Sequence, residues 1–263
     1  MRDRKWLQDN ANKGSLHDGP FLLCKNSRAS SCSVSALKCA ACLCAKASTR
    51  SPTNTPTQPA LQSDGLNMPK QRILKRGHLK PGDCISIDQY VSKVQGRLPW
   101  TFGRERHGYT CGTLFVDHAS GKIFNFCQLS NNAIETLSSK SRLEALAQEE
   151  SVTIKKFHTD NGIFASSDFK EDCDSKGQKL TFSGVGAHHQ NGIAERNIKA
   201  ISQWARASML HAAHSWPDVA SINLWPQAVD YAVWVFNHLP SIDVGISPNE
   251  LWSRTRFPSN SLT

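Results

Sequence analysis

Five short β-type segments, interrupted by one long helix-type segment, dominate residues 84–186. Their residues are β-branched, aromatic or alternating in polarity, as expected for strands. They lie at 84–88, 109–117, 122–129, 152–160 and 179–186. Residues 131–150 repeat apolar positions with helical spacing, and Asn132 is a candidate N-cap. Two more helices are predicted, one from about Gly192 and one over 225–240. The pattern predicts an α/β layer architecture with a mixed central sheet flanked by helices.

The positive charge of the chain is concentrated at its N-terminal end. The formal net charge is +9, and residues 1–80 hold 14 Lys and Arg against 4 Asp and Glu. Residues 81–263 hold the remaining 17 against 18, so this part is close to neutral. A basic N-terminal third predicts an acidic partner, above all nucleic acid, or else a solvated and partly disordered tail.

The apolar content is that of a globular protein rather than a disordered or membrane-spanning one. Hydrophobic residues make up 39% of the 263 residues and charged residues 20%. The longest apolar stretch contains Asn, Pro, Gln and Asp, so no membrane span is expected. No apolar segment of signal-peptide length follows the charged start.

Five of the nine cysteines lie at positions 24, 32, 39, 42 and 44. Cys39 and Cys42 form a Cys-x-x-Cys pair, a spacing with which two thiolates reach one Zn²⁺ from a tight turn. A structural zinc site needs four ligands, and Cys24 and Cys32 are the candidates for the other two. The alternative is a set of inert thiols in a reducing compartment.

The composition changes twice before the β-type segments begin. Residues 47–71 contain four prolines and many Ser and Thr, which predicts an extended linker. Residues 70–80 contain five basic residues, a candidate DNA-contacting strip or nuclear localisation signal. The expected domains are 1–46, a cysteine-containing module; 47–80, a linker; and 81–258, an α/β core.

Three acidic residues stand where elements of the predicted sheet end or begin. Asp88 ends the first predicted strand, Asp160 ends the fourth, and Glu195 lies in the first turns of the helix from Gly192. Strand ends and a helix from distant segments can meet at one edge of an α/β sheet. Carboxylates without accompanying Cys or His suit Mg²⁺ or Mn²⁺. Taken singly, each acid is more typical of a turn, a cap or a solvated surface than of a metal site.

The residues beside these acids add to the pattern. Gly162 follows Asp160 closely and is expected to allow a sharp exit from the strand, because glycine tolerates positive φ. Lys199 lies one helical turn after Glu195 on the same face, where it can contact a phosphate.

The segments KKFHTDNGIF (155–164) and HHQNGIAERNIK (188–199) resemble the catalytic core of retroelement integrases, in particular those of Ty1/copia-type LTR retrotransposons. In that family a basic strand ends in Asp-Asn-Gly, and a Gln-Asn-Gly-x-Ala-Glu-Arg signature opens a helix. Further segments resemble the family in the same order, at 37–50, 224–241 and 245–254. The first of these resembles the end of a zinc-binding pre-integrase segment. The resemblance runs from residue 37 to 258.

This resemblance implies an RNase H-like catalytic core that holds two Mg²⁺ or Mn²⁺ ions. The implied catalytic and metal-binding acids are Asp88, Asp160 and Glu195. The implied nucleic-acid-binding residues are Asn191, Arg196 and Lys199. The implied activity is that of a polynucleotidyl transferase, DNA 3′-end processing and strand transfer. Its partners would be element ends and target DNA, its state a homo-oligomer, and its location the nucleus.

Asp117 competes with Asp88 for the place of the first acid, since it also ends a predicted strand. It lies at a hairpin tip, where Asp is a common turn former. The family tends to carry an acid there without metal duty, so the interpretation favours Asp88.

The sequence departs from the family in its zinc segment. No histidine pair precedes Cys39 and Cys42, so a truncated module without stable Zn²⁺ binding, in a fragment of a polyprotein, is expected. Two rival functions stay open. One is a catalytically silent or domesticated nucleic-acid-binding fragment, and the other is a related RNase H-like nuclease or transposase.

Overall fold

The computed structural model describes residues 44–46, 79–99, 107–184, 191–241 and 245–256. Cys39, Cys42 and nearly all of the predicted linker lie outside the described residues, so the zinc and linker predictions stay predictions. Residues 44–46 are helical. The rest of the described chain forms one sheet with helices on both faces.

The sheet has five strands in the order β3-β2-β1-β4-β5. The strands are β1 (Ile85–Gly96), β2 (Tyr109–Asp117), β3 (Ile123–Gln128), β4 (Lys156–Thr159) and β5 (Lys179–Phe182). The first three pair antiparallel, whereas β4 pairs parallel to both β1 and β5. The predicted mixed sheet is therefore confirmed.

Five α-helices flank the sheet: α1 (Ala133–Glu149), α2 (Ser167–Ser175), α3 (Gly192–Ser215), α4 (Trp225–His238) and α5 (Pro248–Ser253). Asn132 is the N-cap of α1, and its side chain accepts the Glu135 N–H, as predicted. Short 3₁₀ helices lie at Ile163–Ala165 and Ile222–Leu224.

Each face of the sheet carries its own core. On one face, aromatic rings from the sheet pack with α2 and α5, including Phe157, Phe169 and Trp252. On the other face, Leu114 and Val116 of β2 pack against the apolar sides of α3 and α4. The successive β2 residues Leu114 and Phe115 point to opposite faces, as strand alternation requires.

Three predicted boundaries were wrong, since the fifth strand also ends at Phe182 rather than at residue 186, and two helices, α2 and α5, were not predicted. The first strand does not end at Asp88 but continues to Gly96, because residues 88–91 keep pairing with β2. The fourth strand begins at Lys156 rather than at residue 152. No helix in the described parts of the chain is both long and apolar enough to cross a membrane.

Candidate active site

Asp88 and Asp160 stand side by side on neighbouring parallel strands. The β1–β4 register pairs Ser86 with His158, and each aspartate follows two residues later on its own strand. Residues two apart on a strand point to the same face, and neighbouring strands lie about 4.8 Å apart. Asp160 comes directly after the last residue of β4. Continued at the same register, the two chain segments bring Asp88 and Asp160 to the same level of the sheet.

Glu195 reaches the same region from a third element. Asp88 faces the side of the sheet that carries α3, because its cross-strand partner Leu114 packs in the core with that helix. Glu195 is exposed in the first turn of α3. The helix is held on the sheet by its apolar stripe, in which Ala194, Ile201 and Ala205 are buried.

The Asp88 carboxyl is partly buried, and the charges of Asp160 and Glu195 reach it. The pKa of the Asp88 carboxyl is raised to about 6, mainly by burial and in addition by the negative charges of Asp160 and Glu195. The Gln89 N–H, which donates to Asp88 Oδ1 at 2.8 Å, acts in the opposite direction. A carboxyl that is desolvated beside two like charges is a feature of functional sites.

The donor set of these residues fits Mg²⁺ or Mn²⁺ in chemistry. All three groups are hard oxygen ligands, and the clustered negative charge that raises the Asp88 pKa is the charge that a bound cation would neutralise. The buried Oδ1 of Asn191 is a further oxygen without a hydrogen-bond partner among the described residues. Within the described ranges, however, no three His, Cys, Asp or Glu side chains are already gathered into a metal-binding cluster.

The carboxylate of Asp117 is hydrogen-bonded at the hairpin that this residue closes. It is 1% exposed, and the Gly82 N–H donates to its Oδ1 at 3.0 Å. The N–H and the hydroxyl of Ser120 both donate to its Oδ2 at 2.7 Å. Its cross-strand partner Ile85 lies in the aromatic core, on the face opposite to Asp88. These contacts support Asp88, rather than Asp117, as the first acid.

The three candidate DNA-binding residues have different surroundings. Arg196 and Lys199 are exposed beside Glu195, where phosphates can approach them. Arg196 Nε donates to the Gly192 carbonyl at 2.7 Å, which holds its guanidinium along the helix. Asn191 is only 2% exposed, and its Nδ2 donates to the Ile87 carbonyl at 3.0 Å. The structure thus gives Asn191 a contact within the protein that the sequence does not reveal.

The feature of Gly162 that matters beside Asp160 is its missing side chain, not a positive φ. Its φ is −67°, so the expected positive φ was wrong. A Cβ at this position would lie 3.3 Å from Asp160 Oδ1, which also accepts the Gly162 N–H at 3.3 Å. The missing side chain leaves room for the carboxylate.

The fold is similar to those of retroviral integrases. A chain of the simian T-cell lymphotropic virus intasome in complex with PP2A regulatory subunit B56 gamma matches with a TM-score of 0.52 and 20% identity, over 68% of this chain and 57% of that one. The HTLV-2 integrase catalytic core domain in complex with magnesium, in its dimeric form, matches with a TM-score of 0.48 and 22% identity, over 66% and 98%. The fold is the RNase H-like fold of an integrase catalytic core.

The sequence comparison adds the kind of element. The chain is 28% identical over 142 residues, 53% of its length, to the Retrovirus-related Pol polyprotein from transposon TNT 1-94 of Nicotiana tabacum. It spans about a tenth of that relative, since the match covers 10% of the polyprotein. No family model matches the chain. The core is integrase-like and resembles that of a copia-type element, as the two sequence motifs predict.

Proposed function

We propose that this chain is the catalytic core of a retrotransposon integrase, with Asp88, Asp160 and Glu195 as its catalytic and metal-binding acids. The observation that carries the proposal is the convergence of the three acids from β1, the end of β4 and the start of α3. The raised pKa of Asp88 depends partly on the other two carboxylates. The relative from a transposon Pol polyprotein supports an integrase-like core.

The proposed reactions are 3′-end processing and strand transfer. In the first, water attacks a phosphodiester near the element end and releases a 3′-hydroxyl. In the second, that 3′-hydroxyl attacks a target phosphodiester and displaces its 3′-oxygen. Asp88, Asp160 and Glu195 would hold two Mg²⁺ or Mn²⁺ ions, whose positive charge would activate the attacking oxygen and stabilise the leaving one.

The other proposed roles belong to residues around the acids. Asp88 must be ionised to hold a cation, and because its pKa is about 6 without metal, protons compete with the cation increasingly as the pH falls below that value. Arg196 and Lys199 are exposed on the first turns of α3 and bind DNA phosphates from there. Element ends and target DNA are the substrates, a homo-oligomer is the working state, and the nucleus is the site of action.

A catalytically silent nucleic-acid-binding protein is the second candidate. One observation favours it: the described residues hold no metal cluster that is already formed. Such a protein would bind DNA through the exposed basic residues and would join no strands. A related RNase H-like nuclease would cut DNA without joining it.

A disintegration assay separates these functions. The full chain is incubated with a branched DNA substrate and Mn²⁺ or Mg²⁺, beside Glu195→Gln and the matched control Glu171→Gln, an exposed acid on α2. We expect metal-dependent joining that Glu195→Gln abolishes and Glu171→Gln retains. DNA binding without joining by a folded chain would favour the silent protein, and cutting without joining would favour the nuclease.

A further inference from the structure

Asn191 connects the helix that carries Glu195 to the strand that carries Asp88. Its Nδ2 donates to the carbonyl of Ile87, the residue directly before Asp88, at 3.0 Å. The β1–β4 pairing ends at Ser86 and His158, so the amide bonds to β1 just beyond the end of that ladder. Asn191 directly precedes α3, and Glu195 follows it by four residues, about one helical turn.

An ordinary capping role does not account for this side chain. Asn at the N-terminus of a helix normally accepts a hydrogen bond from an N–H of the first turn. The Asn191 side chain makes no such bond. It is directed instead to a residue that is 104 positions away in the sequence.

The second atom of the amide is also informative. Asn191 Oδ1 is buried and has no hydrogen-bond partner among the described residues. Leaving a buried acceptor unpaired is unfavourable unless water reaches it. An unpaired oxygen next to a cluster of carboxylates can instead accept a hydrogen bond from water at the site.

We propose that Asn191 is a positioning residue, which fixes the start of α3 against β1 and thereby sets the separation between Glu195 and Asp88. It acts on divalent-cation binding through Glu195 rather than by contact with DNA. This proposal rests on the proposed function. Residues that orient metal ligands typically change metal affinity by about tenfold to a hundredfold when they are removed.

The test measures Mn²⁺ binding rather than activity. The full chain is titrated with Mn²⁺, and the half-saturating concentration is taken from the increase in melting temperature. We expect Asn191→Ala to raise that concentration by about tenfold or more. The matched control is Asn197→Ala on the same helix, because the Asn197 side chain donates to the Ile193 carbonyl within the helix, at 2.8 Å. It should leave the concentration unchanged.

A double-mutant cycle distinguishes positioning from general weakening of the fold. If Asn191 acts through Glu195, Asn191→Ala should change Mn²⁺ binding little in a Glu195→Gln background. Equal effects in both backgrounds, or wild-type binding by folded Asn191→Ala, would overturn the proposal. Asn191→Leu, which keeps the approximate volume, replaces Asn191→Ala if the latter does not fold. Failure of both to fold would show a purely structural residue and would also overturn it.

Failure of the proposed function gives a different result. In that case the wild-type chain would show no Mn²⁺ stabilisation that Asp88→Asn removes and Glu195→Gln weakens, and the positioning role would be lost with the site. Wild-type binding that depends on both acids, but not on Asn191, would overturn the positioning role alone.

Discussion

Asp88 and Asp117 are two desolvated aspartates on neighbouring strands, and the groups around their carboxylates differ. Burial raises the pKa of both carboxyl groups. Asp117 receives three hydrogen bonds from Gly82 and Ser120, which stabilise its charge within the hairpin. Asp88 receives the backbone N–H of Gln89 and otherwise faces two more carboxylates.

The difference separates a structural acid from a candidate catalytic one. Burial alone does not distinguish them, because the more buried residue is Asp117. The distinguishing feature is whether the protein itself completes the surroundings of the charge. At Asp117 it does, whereas at Asp88 the unbalanced negative charge is suited to a bound cation.

Neutralising each aspartate should have opposite effects on stability. Asp88→Asn removes an unfavourable charge, so at pH 7 and without metal we expect the free energy of unfolding to rise. The same change should lower the rate of strand joining by roughly a thousandfold. The reason is that a cation held by Asp88 would stabilise the charge of the transition state by several kcal/mol. Urea unfolding and the disintegration assay measure the two effects.

Asp117→Asn should instead lower the free energy of unfolding by about 1–3 kcal/mol, because an amide NH₂ would face buried donors. Joining per folded molecule should stay near the wild-type rate. Ser120→Ala, which removes one of the three bonds, should cost about 1 kcal/mol. Loss of joining in folded Asp117→Asn, with joining retained in Asp88→Asn, would reverse the assignment of the two acids.

The pH dependence of the free energy of unfolding should reveal the raised pKa of Asp88. The pKa of Asp88 is about 6 in the folded chain, against an ordinary value of 3.8. Between these values the folded state binds more protons than the unfolded state, so stability falls as pH rises from about 4 to 6. Asp88→Asn should remove this pH-dependent part of the free energy of unfolding. It is measured as the difference between the wild type and Asp88→Asn when the free energy of unfolding is plotted against pH.

Glu195→Gln should shift the Asp88 component to lower pH, because one of the charges that raises the Asp88 pKa is gone. The control Glu171→Gln should leave it in place. An identical pH profile for the wild type and Asp88→Asn would show that Asp88 does not titrate in this window. Saturating Mn²⁺ at pH 7 should recover part of the lost stability.

The sequence predicted the parts of the fold whose pattern is local. The hairpin over 109–129 and the helix capped by Asn132 follow from alternation and capping. The helix α2 was missed because its nine residues, SDFKEDCDS, carry no continuous apolar stripe. Only Phe169 and Cys173, one turn apart, pack inward. Its position is determined by the aromatic core, which sequence periodicity does not reveal.

Some features of the candidate site could likewise be predicted from local sequence patterns, and others could not. Asp160 and Glu195 could be selected because each lies in a recognisable motif. The boundary of β1 could not be read at Asp88, since its continuation depends on pairing with β2. The bond between Asn191 and Ile87 joins residues 104 positions apart, and the preference of Asn for helix starts predicts a different role.

The two glycines beside the acids offer the smallest and most local comparison. Neither has a positive φ, but only Gly162 lies against a carboxylate, whereas a Cβ at Gly192 would meet nothing within 4 Å. Gly162→Ala must displace Asp160 Oδ1 by a few tenths of an ångström, so we expect joining to slow by about threefold to tenfold. Gly192→Ala should keep the wild-type rate and stabilise the chain by about 0.5 kcal/mol. Equal joining rates for the two variants would mean that the position of the Asp160 carboxylate does not limit the reaction.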